Sequence, residues 1–191
     1  MKTTITMFAF LLLATVALAQ TSDGAWFGDG EPEVILGAYF DIAGTDTLMT
    51  LSADTLSVYL VMWNAGQRNE GDVVALEYMI QLPEGLRLIK DELPLYSHLC
   101  LGTVETGFSQ TLEKRYGDGL LLNTLRLYRD GEVADDARIR VLPHPDTEKL
   151  QWVAMPGGPK SVRIYLMGGQ DAILNPNLTT ALESWKPVKS R

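Results

Sequence analysis

The sequence predicts an all-β fold, an antiparallel β-sandwich of the jelly-roll or Greek-key kind, and three observations predict it. Short runs dense in β-branched and aromatic residues recur at near-regular spacing, with Gly, Pro, Asp or Asn turns between them. Where the apolar residues show a clear period, that period is two rather than 3.6. Long amphipathic helical patterns are missing, while 46% hydrophobic content over 191 residues supplies ample material for one packed core.

Along the chain, residues 1–19 carry Lys2, an apolar run from Met7 to Leu13 and the small-residue ending Ala17, Leu18, Ala19 before Gln20. This is the pattern of a secretory signal peptide cleaved near Ala19, and its apolar stretch is shorter than the roughly 20 residues a spanning helix needs. The expectation is a secreted, periplasmic or cell-surface protein with no membrane span. Residues 20–32, rich in Gly, Asp and Ser, predict a flexible lead-in, with ordered structure from Glu33.

Residues 33–41 are strand-like, and residues 56–64 are a stronger case, closed by the turn signal Asn64, Ala65, Gly66. Trp63 shares its parity with Ser57, Tyr59 and Val61, opposite Val58, Leu60 and Met62. Both faces are therefore apolar, as in a central strand or one covered by a loop. The clearest alternation places Val74, Leu76, Tyr78, Ile80 and Leu82 on one face, before the turn Pro83, Glu84, Gly85 and a resumed strand at Leu86.

Residues 108–116 and 120–129, separated by Gly117, Asp118 and Gly119, predict a β-hairpin. Asp130, Gly131, Glu132 is a further turn, and residues 138–142, 150–155 and 162–167 complete roughly eight to ten strands in a domain spanning 33–175. The tail, 176–191, carries a helix-start signal at Asn175 and Pro176 and helically spaced Leu178, Ala181, Leu182 and Trp185.

The charge balance excludes some functions. Sixteen Lys and Arg against 24 Asp and Glu give a net charge of -8, and nucleic acids and anionic membranes are bound through basic surfaces. Cys100 is the only cysteine, so no intramolecular disulfide forms; in the apolar context of Leu99 and Leu101 it is expected to be a buried small hydrophobe.

Enzyme motifs are sparse. The start Gly107, Phe108, Ser109 of a nucleophile elbow is broken by Thr111, and only His98 and His144 offer imidazoles, the latter between Pro143 and Pro145 as exposed punctuation. A noncatalytic protein is expected, with a small secreted hydrolase working through a carboxylate pair as an alternative. Calcium is the one cofactor these residues suggest, through Asp41 and Asp46 in one loop and Asp130, Asp135 and Asp136 in another, although turn chemistry is the preferred account of those residues. A carbohydrate-binding module is the other alternative, with Trp26 and Trp185 as ring platforms while Trp63 and Trp152 go to the core.

Three segments carry a resemblance: residues 37–47 (GAYFDIAGTDT), 57–66 (SVYLVMWNAG) and 73–88 (VVALEYMIQLPEGLRL). Their order, a strand, an Asn-containing turn and a strand ending in Pro and Gly, resembles exported bacterial cohesin-like and immunoglobulin-like modules. The resemblance covers about the first half of the chain after the leader. It implies a noncatalytic sandwich used for adhesion or assembly; in cohesin proper the partner is a dockerin. Taken with the export signal, the expected partner is an extracellular protein or a glycan.

Overall fold

The computed structural model describes residues 34–63, 72–115, 119–155, 163–177 and 180. The signal segment, the lead-in, Trp26, the turns at 64–66 and 156–159, and Trp185 with most of the tail lie outside the described residues. Thirteen strands are described: β1 (Ile35–Tyr39), β2 (Leu48–Met49), β3 (Thr55–Trp63), β4 (Asp72–Gln81), β5 (Leu86–Glu92), β6 (Ser97–Thr103), β7 (Gly107–Arg115), β8 (Leu120–Arg129), β9 (Ala137–Leu142), β10 (Gln151–Met155), β11 (Arg163–Leu166), β12 (Gly168–Gln170) and β13 (Ala172–Leu174).

They form two sheets. The first runs β12-β1-β3-β8-β5; the second contains β11-β10-β4-β9-β13-β2, with β7 on β4 and β6 on β7. Most pairs are antiparallel, but β1 with β12 and β2 with β13 are parallel. Between the sheets lies one core, to which Leu36, Val58, Leu60, Met62, Leu125 and Leu127 contribute from the first and Leu76, Tyr78, Ile80, Phe108, Ile139 and Trp152 from the second. Removing these side chains from water is the main force holding the layers together.

β3 is central, between β1 and β8, and its outer side is covered as its two-faced apolarity predicts. The loop around Gly44 lies over Trp63, whose indole Nε1 donates to the Gly44 carbonyl at 3.2 Å. Trp63 is therefore half-buried on the outer side of its sheet rather than in the core, whereas Trp152 is fully buried. Gly44 has φ +68°, and a Cβ there would stand 2.9 Å from that same Nε1.

Two expectations are corrected by the pairing. Residues 107–115 and 120–129 are not a hairpin: β7 pairs with β4 and β6, β8 pairs with β3 and β5, so the chain crosses from one sheet to the other between them. A Gly-rich turn serves such a crossing as well as a hairpin, because its conformational freedom is the same in both. The true hairpin is β6–β7. In β4 the inward series begins at Val73, not Val74, because the register with β7 shifts between Val73 and Ala75, and a bulge reverses side-chain parity.

At the start of the tail only residues 175–177 and 180 are described. Asn175 sits at φ 48°, its side chain accepting from Leu51 N–H and donating to the Val133 carbonyl. Asn177 Oδ1 accepts the N–H of Thr180 at 3.0 Å.

Candidate functional site

The outer side of the second sheet is built from residues that strand alternation turns away from the core. Two cross-strand rows follow from the register. One reads Leu166, Gln151, Glu77, Ser109, Leu101 across β11, β10, β4, β7 and β6. The other reads Val153, Ala75, Thr111, Leu99 across β10, β4, β7 and β6. Leu99 is 48% and Leu166 41% exposed, and the residues between them are half-buried. The result is a gently polar centre with aliphatic side chains at both margins, carried on rigid strands.

Glu77 stands near the middle of this face. Its Oε1 accepts from the Ser109 hydroxyl at 3.0 Å, while Oε2 is shielded from water without a hydrogen-bond partner. A carboxylate oxygen so placed is under-solvated, at a cost to the folded state.

β6 forms the margin of the face and is held from beneath. Cys100 pairs in register with Gln110 and packs against the core, and the Gln110 amide donates to Ser97 Oγ at 3.2 Å. The connection from β5 is anchored by the Tyr96 hydroxyl, which donates to the Leu121 carbonyl, and by Glu113 N–H, which donates to the Tyr96 carbonyl at 2.7 Å. The hairpin then turns through Gly102 at φ 98° and Gly107 at φ 85°. Its far end packs on His144, which stands 2.6 Å from where a Cβ on Gly107 would be.

His144 is thus buried, a correction to its expected exposure. Its carbonyl accepts from Thr147 and Glu148 N–H and its Nδ1 from Asp146 N–H, so the ring closes a turn.

The thiol of Cys100 is pushed up to about 11, first by burial and second by the negative charge of Asp91. Raised from its ordinary value of 9.0, the thiolate is roughly a hundredfold scarcer near neutrality. Alkylation by iodoacetamide at pH 8 is expected to run one to two orders of magnitude slower on the folded protein than in urea. Equal rates in a stopped-flow or mass-spectrometric time course would contradict this environment.

Asp41 and Asp46 are engaged by the N–H groups of their own loop. Asp41 Oδ1 accepts from Thr45 and Asp46 N–H at 2.9 and 2.6 Å, and Oδ2 accepts from Thr45 Oγ1. Desolvation opposes ionisation of Asp41, but these hydrogen bonds outweigh it and hold the carboxyl below its usual range. Asp46 accepts from Leu48 N–H, Asp130 pairs with Arg87 at 3.5 Å, and Asp136, at φ 55°, accepts from Asn177 N–H and its side-chain amide. Asp135 is exposed. Among the described residues, no three His, Cys, Asp or Glu side chains come together as a metal cluster. No helix among them is long and apolar enough to cross a membrane.

The face itself was missed by sequence reasoning, which sought rings and carboxylates. The signal that could have revealed it is the alternation in β4, whose outward members Ala75, Glu77 and Met79 are small, acidic and apolar rather than uniformly charged.

No protein-family model matches the sequence, and no curated protein matches it either. Solved structures do resemble it in shape. A non-cellulosomal cohesin from the archaeon Archaeoglobus fulgidus superposes with TM-score 0.51 at 8% identity, over 83% of this chain and all of that one. A type I cohesin–dockerin complex from Clostridium thermocellum gives TM-score 0.51 at 10% identity, over 78% of this chain and 100% of the matched one. The sixth cohesin of Acetivibrio cellulolyticus scaffoldin B, in complex with a dockerin, gives 0.50 at 9% identity, over 75% and 99%. At such identities the likeness is one of architecture, and the architecture is plain: the chain folds as a cohesin-like β-sandwich.

Proposed function

We propose that this chain is an exported, noncatalytic module that binds a protein partner on the outer face of its second sheet. The observation that carries the reading is the pair of cross-strand rows running from Leu166 and Val153 to Leu101 and Leu99. They set the exposed Leu99 and Leu166 at the margins of a half-buried, partly polar centre. Exposed aliphatic side chains on a rigid sheet face suit a protein interface.

Two further features support the reading. The leader of residues 1–19 has the form of an export signal, and burial pushes the single thiol up, away from the range of a reactive nucleophile. The neighbours from Clostridium thermocellum and Acetivibrio cellulolyticus are in complex with dockerins, so a protein partner suits this architecture.

The test immobilises the wild-type protein and two variants against the secreted proteins of the producing cell. Ala75→Arg places a long charged side chain in the middle of the face, and Ile42→Arg alters an exposed residue elsewhere, 64% accessible. A partner retained by wild type and Ile42→Arg is expected to bind Ala75→Arg at least about tenfold more weakly, the scale of losing one interface hot spot. Equal retention by all three, or no captured protein, would overturn the reading.

A further inference from the structure

A groove of about 590 Å3 opens where β9, the excursion of residues 143–150 and the β11–β13 segment meet. The excursion exists because β9 and β10 line β4 in succession, with Leu142 opposite Met79 and Gln151 opposite Glu77, and the intervening residues leave the sheet. The volume lies in the range of sites that take small ligands or a few residues of peptide.

Its charge runs against the rest of the molecule. Arg138 and Arg140, on the outward side of β9, and Lys149, from the excursion, line it with Asp171 and Glu148. Among the described lining residues that leaves a positive excess, in a chain whose net charge is -8. The two guanidinium groups flank Asp171 at 3.9 and 3.7 Å. Both distances exceed the 2.7–3.2 Å of a hydrogen bond, so neither arginine spends its N–H donors there. Asp171 Oδ1 is instead occupied by Val141 N–H at 3.2 Å. Both arginines keep about half of their side-chain surface open.

The floor is aliphatic: Leu150 and Met167 are buried beneath it and Leu142 is half-buried beside it. Among the described residues no aromatic ring lines the groove, and an aliphatic side chain fits its floor.

From these observations we infer that the groove binds an acidic peptide segment, its carboxylates on Arg138 and Arg140 and an aliphatic side chain over Leu150 and Met167. Guanidinium groups with open donor edges suit carboxylates because two parallel N–H···O bonds form at once. The site does not depend on the outer face being a docking surface.

Fluorescence anisotropy with the full chain and a fluorescein-labelled peptide of alternating Asp and Leu tests it. Saturable binding is expected, weakened at least about tenfold by Arg138→Glu with Arg140→Glu, and weakened again as salt rises and screens the pairs. Lys90→Glu, on an exposed cation of β5 in the other sheet, leaves binding unchanged. Thermal unfolding confirms that the variants are folded, since both arginines are half-exposed. Absent binding, equal affinity for an Asn-Leu peptide, an unaffected double variant, or tighter binding of oligogalacturonate would each overturn the assignment.

Discussion

Trp152→Ala is expected to lower stability by about 3–5 kcal/mol, the range for deleting a large aromatic side chain from a packed core. Trp152 is fully buried, and it is among the largest such side chains in the protein. It sits on β10 between β11 and β4, opposite Tyr165 and Leu76, so the void opens inside the second sheet's core face. Rigid strands on both sides limit collapse into the space, which places the cost at the cavity-forming end of the range. Urea denaturation reads the change as a shifted midpoint at constant slope, and thermal melting shows a fall of roughly 6–20 °C. Trp63→Ala, at the half-buried ring under Gly44, costs less. A loss below about 1.5 kcal/mol for Trp152 would mean the ring is not in a close-packed core.

The layer in which Trp152 lies was legible from the sequence because burial on one face writes itself as alternation. Leu76, Tyr78 and Ile80 are buried while Glu77 and Met79 are not, and β3 is apolar on both sides because the Gly44 loop covers its second face. What the alternation could not carry is partner choice. The turn between β7 and β8 looks like a hairpin locally, and only competition between β4 and β3 for neighbours decides that the chain crosses sheets. The Val73 bulge is similar: its position is set by β7 and β10, far away in sequence.

The candidate face was less legible for the same reason. Leu99 and Leu101 flank Cys100 in an apolar run, which suggests burial of all three. Burial of Cys100 against the core turns its two neighbours to the other side, where β6, at the margin of its sheet, has nothing over it among the described residues. The groove arginines were legible only as alternation with Ile139 and Val141; their convergence on Asp171 needs the β9–β13 pairing that places Ala172 opposite Ile139. Asp41, by contrast, was legible as a turn residue, since its acceptors serve N–H groups four and five positions on.

Gln110→Ala is expected to cost about 2–5 kcal/mol, and to do so through coupling rather than lost volume alone. Gln110 is 1% exposed on β7. Its Oε1 accepts the Tyr78 hydroxyl at 3.1 Å, and its amide donates to the Leu122 carbonyl at 2.9 Å and to Ser97 Oγ. One side chain thereby joins β4, β6 and β8, tying the edge strand of the proposed docking face to its own sheet and to the opposite one. Truncation strands a buried hydroxyl and a buried carbonyl, each worth about 1–3 kcal/mol when left unmet. Tyr78→Phe removes only one bond and keeps the ring that packs against Phe108 at 5.2 Å, so it costs about 1–2 kcal/mol. In the Gln110→Ala background that same change is expected to be close to neutral, giving a coupling energy of about 1 kcal/mol or more by urea denaturation. Because Ser97 loses its partner as well, amides of β6 should exchange faster in Gln110→Ala than in Tyr78→Phe. Additive costs with unchanged β6 exchange would show that apolar packing alone fixes the edge strand, and the face it carries would then owe nothing to this buried polar node.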